Sequence, residues 1–469
     1  MAEESGGYGG SDIRLGRNNM KKKKIKKTEG LDVNIDNLSM SHIVQYNPIV
    51  YASEEIKKKY ISGLIKYINI AGVSKRKYIR AQIVAYKTII NCYEPTENNS
   101  YLIDDFKYYI LLDLLNIVVF DKKGLSPGKL KKIQFAYLND FKTADIRVCN
   151  RILTLLKNDK IELNRLIQQN LLSDELKYLD YIQQNIKFKE QKPFKLLVTA
   201  TMSAGKSTFI NSLTGKNICR SQNMACTSKI HMTINKAYED GYSYEYDHDL
   251  VMTAGSEELL NDNELNKTDM IYVGTEFNGY LEKQRIIIND SPGVNYSENI
   301  EHRDITRKLI NSGKYDLLVY IMNATQLGTD DDAEHLDYVK KHVGNKPVIF
   351  IINKIDEFNP EEENIINTVN RQIKYIKAHG FENSIVCPVS SKAAYLAKKS
   401  YSEQLSRSET RELNNYIDKF NELKLVNYYK NAFPDIKIIF SMYASPHVFS
   451  NCLLSSFSFL IFISGNAFL

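Results

Sequence analysis

Apolar residues recur at helical spacing from Tyr51 to about Glu190. In "SEEIKKKYISGLIKYI", Ile56, Tyr60, Leu64 and Tyr67 share one helical face, and Ser53 stands ahead of two acidic residues as an N-cap. "SYLIDDFKYYILLDLLNIVVF" is apolar on every side, which predicts the central helix of its domain rather than a surface one. Ser126 with Pro127 in "LSPGKLKKIQFAYL", Thr143 before "ADIRVCNRILTLL" and Ser173 before "DELKYLDYIQQNI" open further helices. Residues 49–190 therefore read as an all-helical domain.

From Phe194 the period changes. The runs "KLLVT", "RIIIN", "LLVYIMN", "VIFIIN" and "SIVCPV" are continuously apolar, as strands covered on both faces must be, and helices begin between them near Gly205, Arg303, Asp331 and Pro360. This alternation predicts a doubly wound α/β domain with a mainly parallel sheet over residues 191–400. After Ala394, "SRSETRELNNYIDKFNELKLVNYYK" is expected to leave the sheet behind as a short helical segment, the start of a stalk over residues 401–437. Residues 438–469 hold no Asp, Glu, Lys or Arg. Three readings of this uncharged apolar tail stay open: a truncated or frame-shifted end, a lipid-inserting segment, and a buried segment.

Charge and cysteines narrow the class of protein. The net charge is +6, but residues 1–27 carry Arg14, Arg17 and six lysines against Glu3, Glu4 and Asp12, so that stretch alone holds +5 and the remainder about +1. A body without basic excess makes nucleic acid an unexpected partner. Residues 1–48 have few apolar residues to bury and read as a disordered basic tail, whose lysine run is suited to an anionic membrane. The cysteines (Cys92, Cys149, Cys219, Cys226, Cys387 and Cys452) show no metal-ligand or disulfide spacing, and no export signal follows the basic run. A cytoplasmic protein is expected.

The residues that carry chemistry lie at the carboxyl ends of the predicted strands. Residues 200–207, "ATMSAGKS", fit the phosphate-loop pattern except that Ala200 replaces its first glycine. After a strand and before a helix, the backbone N–H groups of Ala200, Thr201, Met202, Ser203, Ala204, Gly205 and Thr208 would face phosphates, and Lys206 would place its charge on the β and γ oxygens. Ser207 offers a hydroxyl to Mg2+, and Thr227 in "NMACTSKI" offers a second from a loop ordered by the γ-phosphate. In "INDSPGVN", Asp290 would hold a Mg2+-bound water, and Gly293 lets the γ-phosphate approach its N–H. "NKID" reads the base. The carboxylate of a buried Asp356 accepts from guanine N1–H and its exocyclic amine, a donor pair adenine lacks, while Asn353 braces the loop and the stem of Lys354 covers the ring. Ser390, Ser391 and Lys392 in "PVSSKAA" complete the base pocket. The order of these motifs is that of GTP-binding proteins, with GTP as substrate and Mg2+ as cofactor.

"ATMSAGKSTFINSLTG", "ACTSKI", "DSPGVN" and "NKID", with the wide gap between Lys206 and Asp290, resemble the GTPase domain of bacterial members of the dynamin superfamily. The resemblance covers residues 194 to about 400. It implies GTP hydrolysis to GDP and phosphate, homodimerisation through the GTPase domains and membrane remodelling, at the inner face of a membrane. The alternative is a GTP-regulated interaction module that uses slow hydrolysis as a timer. Met202 departs from the pattern, since eukaryotic dynamins carry a water-positioning glutamine there. Catalysis then falls to Lys206, Ser203 and Thr227. A fainter likeness joins "FDKKGLSPGKLKKI" to tellurite-resistance-type helical domains, without the acidic ligands of a calcium-binding loop, and no metal is expected there.

Overall fold

The computed structural model describes residues 23–24, 39–92, 104–118, 125–155, 175–219, 230–237, 243–246, 250–253, 270–278, 281, 283–294, 300–359, 361–362, 364–425 and 428–429. Among the described residues, six helices form the first part: α1 (Glu54–Ala71), α2 (Lys77–Ile90), α3 (Lys107–Val118), α4 (Pro127–Asp140), α5 (Ile146–Leu155) and α6 (Leu176–Glu190). α3 is buried from Tyr109 to Val118, Asp113 and Asn116 included, as a helix apolar on every side requires. Ser53 caps α1 through its hydroxyl, and Gly72 ends it in the left-handed region. α5 differs from expectation at its start: Asp145, not Thr143, accepts the Arg147 backbone N–H, at 2.7 Å. Ser173 lies outside the described residues.

The basic tail also differs where it is described. Lys23–Lys24 form a short strand, β1, and Ser39–Tyr46 and Pro48–Tyr51 wind as 3-10 turns. Ile43 and Val44 are buried in the helical core, so this array begins ahead of residue 49.

The second part is built on a ten-stranded sheet among the described residues: β1, β2 (Phe194–Ala200), β3 (Ile230–Asn235), β4 (Ser243–Tyr246), β5 (Leu250–Thr253), β6 (Met270–Thr275), β7 (Ile286–Asp290), β8 (Leu317–Asn323), β9 (Val348–Asn353) and β10 (Ile385–Pro388). Its order is β1-β5-β4-β6-β3-β7-β2-β8-β9-β10. The strands from β7 to β10 in this order pair in parallel, while β3 joins β7 antiparallel and carries the further strands outward. Helices α7 (Lys206–Thr214), α8 (Ile300–Ser312), α9 (Asp330–His342), α10 (Ile365–Ala378) and α11 (Ser391–Ser402) cover its faces. The two parts join where α6 feeds β2, and there Arg285 Nη1 donates to the carbonyls of Lys189 and Gln191, both at 2.9 Å.

One expectation is corrected here. Helix α12 (Arg407–Glu422) and the residues after it do not leave the sheet. Phe420, Leu423, Leu425 and Tyr429 are buried in the same core as Tyr320 of β8 and Phe350 of β9. The Tyr428 and Tyr429 hydroxyls donate to the carbonyls of Val386 and Pro388. On the helix itself only Leu413 and Phe420 are buried, and its exposed charged face gave the segment its stalk-like look. No helix among the described residues is long and apolar enough to cross a membrane. Residues 438–469 lie outside them.

Candidate functional site

Ala200 is the last residue of β2 and fully buried. Its backbone is not left-handed, so the glycine that the pattern calls for is not needed there. The turn takes its left-handed residues later, at Ser203 (φ 59°) and Gly205 (φ 85°). A Cβ on Gly205 would sit 2.3 Å from Asn353 Nδ2, so only glycine fits between the turn and that side chain. Ser203 tolerates its conformation at a cost of about 1 kcal/mol and is exposed at the mouth of the turn.

Asn353 ties the separate motifs into one mouth. Its Nδ2 donates to the Ala204 carbonyl at 2.8 Å, while its Oδ1 accepts from the Ser391 backbone N–H at 3.0 Å and the Ser391 hydroxyl at 2.7 Å. Ser390 caps α11 by accepting from the Ala393 N–H. The end of β2, the end of β9 and the start of α11 are thereby fixed at one edge of the sheet. This is the crevice beyond the carboxyl ends of parallel strands where doubly wound folds bind ligands.

On the opposite side of the turn, "DSPG" zips onto it. The Val294 N–H donates to Ala200 O at 3.1 Å, and the Met202 N–H to Val294 O at 3.2 Å. Met202 Cγ lies 3.4 Å from the position a Cβ on Gly293 would take. Lys206, buried at the head of α7, pairs with Asp290 Oδ1. The other carboxylate oxygen, Asp290 Oδ2, is buried without a hydrogen-bond partner. Ser207 and Thr208 follow half-buried on the first turn of α7, and Thr201 bridges to Val294.

The base-reading segment is a 3-10 turn, Ile355–Glu357, entered through Lys354 in the left-handed region. Lys354 Nζ lies 3.5 Å from Glu357 Oε1. Asp356 is half-buried rather than buried, because the turn lifts it to the rim of the crevice where water still reaches it. Lys392 is exposed and paired with Glu412. Thr227 lies outside the described residues; the phosphate turn, Asp290, Val294, Asn353 and Ser391 are joined by the contacts above, whereas Lys354, Asp356 and Lys392 stand on the segments that follow Asn353 and Ser391.

Residues 196–355 match the dynamin family. The domain belongs to the dynamin superfamily of GTPases. The matched segment includes the phosphate turn, Asp290–Gly293 and Asn353–Lys354, and ends just before Asp356. A curated protein of Caldicellulosiruptor, "Uncharacterized protein in xynA 3'region", is 28% identical over 232 residues, 46% of this chain and 53% of that protein. The "Bacterial dynamin-like protein" of Nostoc punctiforme is 27% identical over 185 residues, 36% of this chain and 26% of that protein. The chain thus spans about half or less of the length of these relatives. Among solved structures, one chain of an oligomerised bacterial dynamin pair covers 84% of this chain and 62% of its own, at 18% identity and a TM-score of 0.36.

Within and beyond the matched segment stand groups that sequence reading passes over. Lys398 of α11 is buried and donates through Nζ to the Leu213 carbonyl at the end of α7, at 2.7 Å. Lys419 of α12 donates to the Asp356 backbone carbonyl at 2.7 Å. Lysines on amphipathic helices carry no sequence signal of such contacts. Cys219 and Cys387 are buried, which pushes their thiols well above the usual range and leaves them unreactive.

Proposed function

We propose that this chain binds GTP with Mg2+ and hydrolyses it to GDP and phosphate, in a cycle that pairs two GTPase domains and is coupled to membrane remodelling. The carrying observation is Asn353, whose side chain holds the phosphate turn and the Ser391 segment to the base-reading strand. Such a brace serves a ligand that spans phosphate and base at once. The Met202 N–H, expected from the sequence to face phosphates, is taken by the Val294 carbonyl, so the backbone N–H groups of residues 203–208 receive the phosphates at the head of α7, and Lys206 exchanges its Asp290 partner for their oxygens. Asp356 selects guanine, with Lys354 and Lys392 over the ring and Ser390 and Ser391 beside it.

The residues present fit Mg2+. Asp290 Oδ2 is a buried acceptor with no partner, suited to a metal-bound water, and the Ser207 hydroxyl stands on the first turn of α7. Thr227 supplies a further hydroxyl. The ion neutralises phosphate charge as it develops.

Calorimetry with GTP, GDP and ATP tests the reading. Guanine nucleotides bind in preference to ATP, D356N shifts preference toward xanthine nucleotides by presenting an amide donor to the xanthine O2, and K206A lowers phosphate release to background, a loss of about 100-fold or more. Equal affinity for ATP and GTP in the native chain, or wild-type turnover in K206A, would overturn it.

A further inference from the structure

Beyond the segment that matches the dynamin family, α12 presents a stripe to the base-reading turn. Glu412, Tyr416 and Lys419 recur one helical turn apart on the same face. Lys419 Nζ donates to the carbonyl of Asp356, the residue proposed to read guanine, at 2.7 Å. Glu412 Oε1 accepts from Lys392 Nζ, and from the Tyr416 hydroxyl at 2.7 Å. Burial pushes the Glu412 carboxyl up, and its bonds to Lys392 and Tyr416 more than offset this, leaving it below the usual carboxylate range and charged. Burial, together with the Glu412 bond and the nearby Asp356 charge, raises the Tyr416 phenol far above its usual range, so it stays a donor.

The helix is itself held in place. Leu413 and Phe420 are buried, Ser406 and Glu409 form a reciprocal cap, and Glu409 pairs with Lys399 of α11 at 2.7 Å. An anchored helix thus grips both Asp356 and Lys392.

We infer that α12 sets guanine selectivity through Lys419, a positioning residue for Asp356, while Glu412 positions Lys392 over whichever purine is bound. This rests on the guanine reading proposed above. A half-exposed carboxylate discriminates guanine only when its backbone is fixed, since both donors of the base must be met at once. Freed from Lys419, Asp356 satisfies N1–H alone or turns to water, and the bond to the exocyclic amine is lost first.

Inosine diphosphate, which keeps N1–H and lacks that amine, isolates the effect. Dissociation constants for GDP, IDP and ADP are measured on the full chain with Mg2+, for the native protein and for K419A, K419Q and K419R. K419A weakens GDP binding about tenfold and IDP binding less than about threefold, so the two affinities converge. K419R, which keeps a charged donor, restores the native ratio. K419Q retains part of the side-chain packing and gives the same convergence should K419A not fold. E412A frees Lys392 and weakens GDP and IDP alike, because both rings lose the same cover. A native GDP to IDP ratio in folded K419A and K419Q, or equal losses for both nucleotides, overturns the inference while the guanine reading stands. A native chain that does not prefer GDP to ADP removes both.

Discussion

Asp113 accepts four hydrogen bonds inside the helical core. Oδ2 takes Asn47 Nδ2 at 2.9 Å and the Tyr60 hydroxyl at 2.5 Å, and Oδ1 takes Tyr86 at 3.2 Å and Tyr178. These bonds favour the ionised form, yet burial outweighs them and pushes the carboxyl up to about 6. The folded state then holds a proton that the unfolded chain releases near 3.8, so the stability this group contributes falls as pH rises from about 4 to about 6 and is level above. Asp332, likewise raised to about 6 by burial, acts with the same sign, whereas His335, lowered by burial to about 3, acts against them. The difference between native and D113N isolates one term. Urea midpoints at pH 4, 5 and 6 are expected to show native losing ground to D113N by roughly 1 kcal/mol per pH unit. A difference independent of pH would show that Asp113 does not titrate in this window. At this scale the sequence was informative about chemistry and silent about environment. Asp356 was expected buried and is half-buried, and the consequence of Ala200 turned on backbone angles set by Gly205 and Ser203.

Among elements, the parallel half of the sheet was legible because its strands are buried on both faces and read as unbroken apolar runs. β3, with "IHMTIN", and β6, with "MIYVGT", mix polar and apolar residues, and β4 and β5 are four residues each. Their pairing depends on partners distant in sequence, which no local pattern reports. The same holds for the seam between α7 and α11. Lys398 bonds the last turn of α7, and burial lowers its ammonium to about 7. Between about 7 and 10.5 the unfolded chain binds a proton that the folded state has released, so stability from this group rises with pH across that window. K398M removes the dependence and leaves the Leu213 carbonyl without this donor, at about 1–3 kcal/mol. Denaturation at pH 7, 8 and 9 should show the native advantage over K398M growing with pH. A constant gap would mean that Lys398 stays charged in the folded chain.

Across the whole molecule, the motifs read from the sequence fall at strand ends that Asn353 ties together, while the docking of α12 was missed because only the assembled core shows where Phe420 and Leu423 go. The largest departure from the family pattern has consequences at this scale too. Met202 packs over Gly293 and has no hydrogen-bond donor in its side chain to hold an attacking water, and neighbouring Ser203 is exposed in a left-handed conformation at the rim. Under the cycle proposed above, a rim of this kind is suited to completion by a second copy of the domain, which would exclude water from the phosphates. Slow basal hydrolysis is therefore expected, with specific activity rising as protein concentration is raised. Measurements over a wide concentration range, with and without anionic liposomes, separate the consequences. Turnover strictly proportional to enzyme and indifferent to lipid would favour a timer module over a membrane-remodelling cycle. A steep rise without lipid would keep pairing and remove membrane coupling. Lipid stimulation that survives deletion of residues 438–469 but vanishes with the lysine run of residues 21–27 would assign membrane contact to the basic tail, where the charge of the chain is concentrated.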